Sequence, residues 1–308
     1  MLNASAFKVR LNMLARTSSN RGAIICTLLV ASCLLPALGA AQFMPPSLPP
    51  EKVVQVYGQN IHYYEAGHGS NLIFIHGLGG EASNWAANIG PLSQKYHVYA
   101  LDQIGFGKSD KPFIEYSIET FVDFLQEFMR VLEIPTATLV GNSLGGWIAA
   151  DFAARYPGKV DRLVLVGAAG LAPQANEQLR VDLNPASLDG MRHVLEYIVY
   201  NQQFVTDQVA RQAYERRLRS GDGYTIQRIL AGLLTTNQWE DPRLASIQAP
   251  TLVVWGRDDK LVPLSLGERY QKGIAGAKLT VLEQCGHIPQ IEKPAEFNND
   301  LLDFLAHP

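Results

Sequence analysis

From Val53 onward, short apolar runs alternate with segments whose apolar residues recur at helical spacing. The first two runs, Val53–Tyr57 and Asn60–Tyr64, flank Gly58 with alternating apolar and polar positions, which predicts an antiparallel hairpin. The later runs are apolar almost throughout, as is typical of parallel strands buried on both faces. These runs are Leu72–Ile75, Tyr96–Leu101, Thr136–Val140, Leu163–Val166, Thr251–Trp255 and Leu279–Leu282.

Helical patterns separate the predicted strands. Ser117 is placed to cap a segment in which Phe121, Leu125 and Phe128 recur at helical spacing. Further helices are predicted over Asp151–Arg155 and Pro294–Leu305. The alternation predicts an α/β fold with a doubly wound, mostly parallel sheet of eight strands. One long stretch, at about 171–240, lacks a strand pattern and predicts helices inserted between two strands.

The first 41 residues have the pattern of an export segment. Four basic residues and no acidic ones accompany an apolar run over residues 22–41, which ends in small residues. This pattern predicts a secretory signal peptide cleaved after Ala41. An uncleaved membrane anchor and a lipoprotein site at Cys33 are the alternatives. Each of them places the folded part outside the cytoplasm, periplasmic or secreted. Residues 42–52 then form a Pro-rich linker, and residues 53–308 form the folded domain.

Composition and charge are those of a globular protein that does not bind nucleic acid. The chain has 308 residues, of which 47% are hydrophobic and 18% are charged, as in an ordinary globular enzyme. The net charge is −3, and the residues after the leader carry 22 basic and 29 acidic side chains. We therefore expect no nucleic-acid partner. We expect association with a membrane only through residues 1–41, as an anchor or a lipid attachment. The sequence gives no indication of an oligomeric state.

The strongest chemical motif is Gly141-Asn142-Ser143-Leu144-Gly145, which directly follows a predicted strand and precedes a predicted helix. This is the G-x-S-x-G nucleophile elbow in its expected context of strand, turn and helix. It predicts Ser143 as a nucleophile. The backbone N–H group of Leu144, the residue after the nucleophile, is expected to help form an oxyanion hole.

A serine nucleophile needs a base and an acid that orients the base. His287, beside Gly286, follows the last predicted strand and is the predicted base. The acid should end the preceding strand, where Asp258 and Asp259 both stand. The chain order of serine, acid and histidine is that of α/β-hydrolases.

From Val53 to Leu305 the chain resembles the α/β-hydrolase superfamily of serine hydrolases. The resemblance implies that the acid is Asp259, four residues before Pro263, and that the inserted helices form a lid. It also implies that the loop His76–Gly80 supplies the second oxyanion donor, the N–H group of Leu78.

Motifs that are absent and motifs that are present both restrict the type of reaction that the sequence predicts. The phosphate-binding and zinc-binding motifs G-x-x-x-x-G-K-[ST] and H-E-x-x-H are absent from the sequence, so we expect no cofactor and no metal. Asn142, the stretch Trp255–Asp259 and Cys285-Gly286-His287 resemble the C–C bond hydrolases that cleave meta-ring-fission diketones.

Two positions depart from the pattern of the C–C hydrolases. Those enzymes carry Trp after the catalytic histidine, where this chain has Ile288, and a lid Arg-Trp pair, where it has Ala213-Tyr214. Nearby basic residues are Arg211, Arg216 and Arg217.

Because export suits substrates that arrive from outside, the sequence predicts hydrolysis of small or medium carboxylic esters, with similarity to exported esterases. The alternatives are C–C bond hydrolysis and lactone, lipid or amide hydrolysis. A non-catalytic binding protein is disfavoured by the complete triad. Asn142, Trp147 and Ile288 are expected to line the substrate pocket.

Overall fold

The computed structural model of the protein describes residues 47–172, 182–233 and 240–307. The predicted leader and most of the predicted linker lie outside the described residues. Within them, no helix is both long enough and apolar enough to cross a bilayer. The first strand begins at Glu51, two residues before the predicted start of the domain, and Leu48 packs against the core. The last residues of the predicted linker are thus part of the folded domain.

The sheet has eight strands in the order β1-β2-β4-β3-β5-β6-β7-β8. β1 pairs antiparallel with β2, β2 pairs antiparallel with β4, and all other pairs are parallel. The predicted fold class and hairpin are therefore confirmed. The strands are β1 Glu51–Val56, β2 Gln59–Ala66, β3 Asn71–Ile75, β4 His97–Leu101, β5 Ala137–Asn142, β6 Val160–Val166, β7 Thr251–Gly256 and β8 Lys278–Leu282.

Helices cover both faces of the sheet, as a doubly wound architecture requires. The described helices are α1 Ala86–Ser93, α2 Ile118–Val131, α3 Leu144–Arg155, α4 Leu188–Ile198, α5 Asp207–Ser220, α6 Gly223–Leu233, α7 Leu264–Gly273, α8 Pro289–Glu292 and α9 Pro294–Ala306. Side chains of α2, α3 and α7 form one core layer. Those of α1 and α9 form the other, on the opposite face.

The central helix α3 is longer than the sequence pattern predicts. It runs over Leu144–Arg155, whereas only Asp151–Arg155 had helical character in the sequence. Every residue from Leu144 to Ala153 is buried, so the helix has no polar face along most of its length. Helical periodicity depends on a contrast between two faces, and a helix enclosed on all sides lacks that contrast.

Residues 182–233 between β6 and β7, hereafter the helical insertion, contain α4, α5 and α6 and no strand among the described residues. α4 and α5 pack against each other through a small apolar cluster that includes Leu195 and Ala210. α6 instead packs onto the main core through Ile226, Ile229 and Leu230. The insertion therefore contacts the main apolar core through α6. Its action as a lid remains a prediction.

Candidate active site

The turn between β5 and α3 is a tight elbow with Ser143 at its centre. Ser143 has φ 55° and ψ −117°, a conformation that L-residues rarely adopt and that costs on the order of 1–3 kcal/mol. A Cβ atom on Gly141 would lie 2.2 Å from the carbonyl oxygen of Gly145, and one on Gly145 would lie 2.2 Å from that of Ile75. Both flanking positions therefore require glycine. The Ser143 N–H donates to the carbonyl of Val166, which fixes the elbow to β6.

The predicted base and acid are in direct contact. Nδ1 of His287 lies 2.8 Å from Oδ2 of Asp259, and both side chains are buried. The other carboxylate oxygen of Asp259 accepts the N–H groups of Leu261 and Val262, at 2.9 and 2.8 Å. A carboxylate held in this way accepts the Nδ1–H group of His287 and leaves Nε2 with its lone pair. Asp258 is exposed, so the structure brings Asp259, and not Asp258, to the histidine.

Ser143 and His287 lie at the same edge of the sheet. Val166, the last residue of β6, accepts the N–H group of Ser143. Gly167 comes next, and a Cβ atom on it would lie 3.2 Å from Nδ1 of His287. Within the described part of the chain, no hydrogen-bond partner lies in range of Nε2 of His287. Catalytic hydrogen bonds are often long in the absence of substrate and tighten when it binds.

The oxyanion donors predicted from sequence flank Ser143. Leu144 is the first residue of α3, where backbone N–H groups have no acceptor within the helix. On the other side, a Cβ atom on Gly77 would lie 3.0 Å from Cβ of Ser143, which places the Gly77-Leu78 loop against Ser143. The arrangement suits two N–H groups that converge on a carbonyl oxygen, although the roles of Leu78 and Leu144 remain predictions.

His76 supports this loop. Its Nδ1 donates to the carbonyl of Gly77 at 2.8 Å, and its Nε2 accepts the N–H group of Gln103 at 3.0 Å. Burial lowers the pKa of His76, which keeps the ring neutral and suited to these two bonds. Both ring nitrogens are therefore engaged in holding the backbone of the loop.

The three predicted pocket residues occupy different surroundings. Nδ2 of Asn142 donates to the carbonyls of Val166 and His287, at 2.9 and 3.2 Å, so the amide holds backbone at the site. Trp147 is only 1% exposed, and its indole N–H donates to Glu240 at 3.3 Å. Ile288 is partly exposed directly after His287 and at the start of α8. Of the three, Ile288 has the placement that best suits a pocket wall.

Sequence reasoning missed a buried ionic cluster behind Trp147. Arg243 lies 3.2 Å from Glu240 and 3.1 Å from Asp151, and both acidic side chains are fully buried. Burial, followed by the charge of Asp151, raises the pKa of Glu240 to about 8, against the opposing charge of Arg243. Asp151 is 92 positions from Arg243 in the chain, so no local motif joins it to the Glu240–Arg243 pair. Among the described residues, no group of His, Cys, Asp or Glu side chains converges as a metal site.

Comparison with known proteins agrees with this geometry. Residues 71–294 match the family described as alpha/beta hydrolase fold. The chain belongs to this family.

Curated relatives and solved structures include C–C bond hydrolases. The 2-hydroxy-6-oxo-6-phenylhexa-2,4-dienoate hydrolase of Comamonas testosteroni is 36% identical over 259 residues, which are 80% of this chain and 91% of that protein. The structure of the meta-cleavage product hydrolase of Pseudomonas fluorescens IP01 has 34% identity and a TM-score of 0.77, covering 83% and 97% of the two chains. A membrane phospholipase A, described as a bacterial virulence factor, has 29% identity and a TM-score of 0.74, covering 83% and 86%. The protein is therefore a hydrolase, and its relatives favour C–C cleavage over the predicted ester specificity.

Proposed function

We propose that this protein hydrolyses a C–C bond next to a carbonyl group, in a substrate of the 2-hydroxy-6-oxo-dienoate class, through an acyl-enzyme on Ser143. The observation that carries the hydrolase chemistry is the buried pair of Asp259 and His287 beside the strained Ser143 elbow. The choice of a C–C bond is supported by the relatives named above, at 34–36% identity.

The chemistry follows from these groups. His287 takes the proton of the Ser143 hydroxyl as its oxygen attacks the substrate carbonyl, and Asp259 stabilises the imidazolium that forms. The N–H groups of Leu78 and Leu144 bind the resulting oxyanion. Before this bond can break, the dienoate takes its keto form: C5 gains a proton and the 2-hydroxyl group loses one, so that C5 becomes saturated and C2 becomes a carbonyl. Collapse of the intermediate then breaks the C5–C6 bond. The electron pair left on C5 delocalises into the conjugated C2 carbonyl as a dienolate and is protonated, and water then releases the acyl group from Ser143.

A dienoate substrate also brings a carboxylate that must be paired when it leaves water. Arg217 is engaged with Asp222, at 2.9 Å, and with Asn184. Arg216 lies 3.4 Å from Glu81, next to the oxyanion loop, and is 31% exposed. A long, half-exposed ion pair of this kind is weak, so it can be exchanged for a substrate carboxylate at small cost. We propose Arg216 as the substrate-carboxylate partner, in the place of the lid arginine of the C–C hydrolases.

The test is a direct comparison of two substrates on the purified full chain. Loss of 2-hydroxy-6-oxo-6-phenylhexa-2,4-dienoate is followed beside hydrolysis of an uncharged p-nitrophenyl ester. We expect the dienoate to have the larger kcat/KM. Ser143→Ala should lower kcat for both substrates by about 10⁶-fold, as in other triads. A folded Ser143→Ala variant with normal turnover would contradict the acyl-enzyme mechanism.

Arg216→Gln separates the substrate classes further. It should raise KM for the dienoate about tenfold or more, because a charge-assisted hydrogen bond is lost, and leave the uncharged ester within twofold. The matched control is Arg219→Gln, which removes an arginine of the same helix that is 66% exposed and 3.7 Å from Glu215. This control should change neither substrate. Equal effects of the two variants would contradict the role of Arg216.

Carboxylic ester hydrolysis is the second candidate. It is favoured by Ile288, an aliphatic side chain beside the catalytic histidine where the C–C hydrolases have Trp, and by the similarity to the membrane phospholipase A. The export predicted from residues 1–41 would also suit esters arriving from outside. Faster turnover of the p-nitrophenyl ester, with the dienoate untouched, would establish this candidate and reject C–C cleavage. A panel of esters of increasing acyl length, extended to phosphatidylcholine vesicles, would then define the substrate.

A further inference from the structure

The loop that carries His287 is bonded directly to the helical insertion. The N–H group of His287 donates to the carbonyl of Ile198, the last residue of α4, at 2.9 Å. A Cβ atom on Gly286 would lie 2.7 Å from that same carbonyl and 2.8 Å from the backbone nitrogen of Tyr200. The insertion and the histidine loop are therefore in backbone contact, with no room for a side chain between them.

One carboxylate bridges this junction. Oε1 of Glu292 accepts the N–H group of Gly286 at 2.9 Å, and Oε2 accepts the N–H group of Tyr200 at 2.8 Å. Glu292 thus receives backbone donors from the histidine loop and from the insertion. Burial raises the pKa of Glu292, and these N–H groups oppose the rise.

On the other side, the carbonyl of His287 accepts Nδ2 of Asn142, which also bonds Val166 at the end of β6. The backbone of the histidine is therefore held between the sheet on one side and the insertion on the other. Residues 198–200 are thus joined to the histidine loop in two ways, by the direct bond from His287 to Ile198 and by the Glu292 carboxylate that both segments share.

We infer that Glu292 is a positioning residue that couples the helical insertion to the alignment of His287 with Ser143. The inference rests on the proposed triad, but not on whether the substrate is a dienoate or an ester. Nε2 of His287 makes no hydrogen bond within the described residues, and catalytic hydrogen bonds commonly tighten by a small adjustment when substrate binds. Glu292 makes the seating of the insertion part of that adjustment.

The test compares Glu292→Gln with Glu296→Gln on whichever substrate the full chain turns over best. Glu292→Gln keeps the side-chain length but places an NH₂ group where one of the donors needs an acceptor. A displacement of about 1 Å at a catalytic group costs about 10²-fold in rate, so we expect kcat to fall about 10- to 100-fold with KM within threefold. Glu296 lies about one turn after Glu292, is exposed and pairs with Lys293. Its substitution should leave kcat within twofold.

Gly286→Ala tests the same junction by a second change, because its Cβ would lie 2.7 Å from the carbonyl oxygen of Ile198, 2.8 Å from the nitrogen of Tyr200 and 2.9 Å from Oε1 of Glu292. If both changes act through one junction, the double variant should lose less kcat than the product of the two single losses. Glu292→Asp, which keeps the charge but is one methylene shorter, should lose less than Glu292→Gln. It also provides the measurement if Glu292→Gln does not fold.

An unchanged kcat in a folded Glu292 variant would overturn the inference, as would losses that multiply in the double variant. A rise in KM at constant kcat would equally overturn it, since it would indicate a substrate contact. Failure of the proposed triad is distinguishable, because it would appear as retained activity in Ser143→Ala.

Discussion

Asp258 and Asp259 are adjacent in sequence but have different surroundings. The Asp259 carboxylate accepts hydrogen bonds from His287, Leu261 and Val262 and is buried. Asp258 is exposed, and its backbone N–H donates to the carbonyl of Cys285. Neighbouring residues in a turn point in different directions, so only one of the two can orient the imidazole. The pair therefore gives a test of position in which charge and sequence neighbourhood are matched.

We expect Asp259→Asn to lower kcat by about 10⁴-fold, because an amide in this place favours the wrong tautomer of His287. Asp258→Asn should cost tenfold or less, through loop geometry alone. Both variants are measured on one substrate under the same conditions. If Asp258→Asn were the impaired variant, the assignment of the acid would be wrong, while the nucleophile and the fold would stand.

Sequence analysis could identify those residues whose neighbours in the chain form a recognisable motif with them. Ser143 lies in a five-residue motif, and His287 follows glycine at the end of a strand. The bond from Asn142 to the carbonyl of His287 joins residues 145 positions apart, and that between Glu292 and Tyr200 spans 92 positions. These contacts exist only once the sheet has formed, so no local pattern contains them.

At the scale of elements, buried parallel strands were predictable because their apolar runs are bounded by glycines and turns. Ser117 was predictable as a helix cap because its hydroxyl accepts the N–H group of Thr120, a local interaction. α3 was only partly predictable, since its surroundings come from β5, β6 and the neighbouring helices. Local patterns thus predict short buried strands and helices with one solvent-facing side, but not the full length of a helix that is enclosed on all sides.

The elbow between β5 and α3 makes a prediction about stability. In Gly141→Ala the new Cβ would meet the carbonyl oxygen of Gly145 at 2.2 Å and the backbone nitrogen of Gly146 at 2.7 Å. These are backbone atoms at the start of α3 and cannot move aside. We expect a loss of about 2–3 kcal/mol or more in the free energy of unfolding, measured by urea denaturation.

Gly158→Ala is the matched control for this change. Nothing lies within 4 Å of a Cβ at that position, and its φ is not in the left-handed region. The control should be neutral, or stabilising by about 0.4–1 kcal/mol through the unfolded chain. Similar losses in both variants would show that close packing at the elbow is not what requires glycine at position 141.

At the scale of the whole molecule, the ionic cluster joins the segment after the helical insertion to the main domain. Glu240 donates its N–H to the carbonyl of Gly170 and accepts the indole N–H of Trp147, which lies one turn along α3 from Ser143. The cluster thus connects the two chain segments on either side of the insertion to α3. Its protonation state should therefore influence the stability of the entire fold.

Burial raises the pKa of Glu240 to about 8, whereas an unfolded glutamate titrates near 4.3. Between these values the folded state holds a proton that the unfolded state has lost, so stability falls as pH rises through this window. Glu240→Gln carries no ionisable proton. Its free energy of unfolding, relative to wild type, should therefore increase from pH 5 to pH 9, by at most about 1.4 kcal/mol for each pH unit.

Glu268→Gln, on an exposed face of α7, is the control and should follow wild type. Urea denaturation at each pH measures both variants. Parallel curves for wild type and Glu240→Gln would mean that Glu240 is already ionised in the folded protein, with Arg243 compensating its charge.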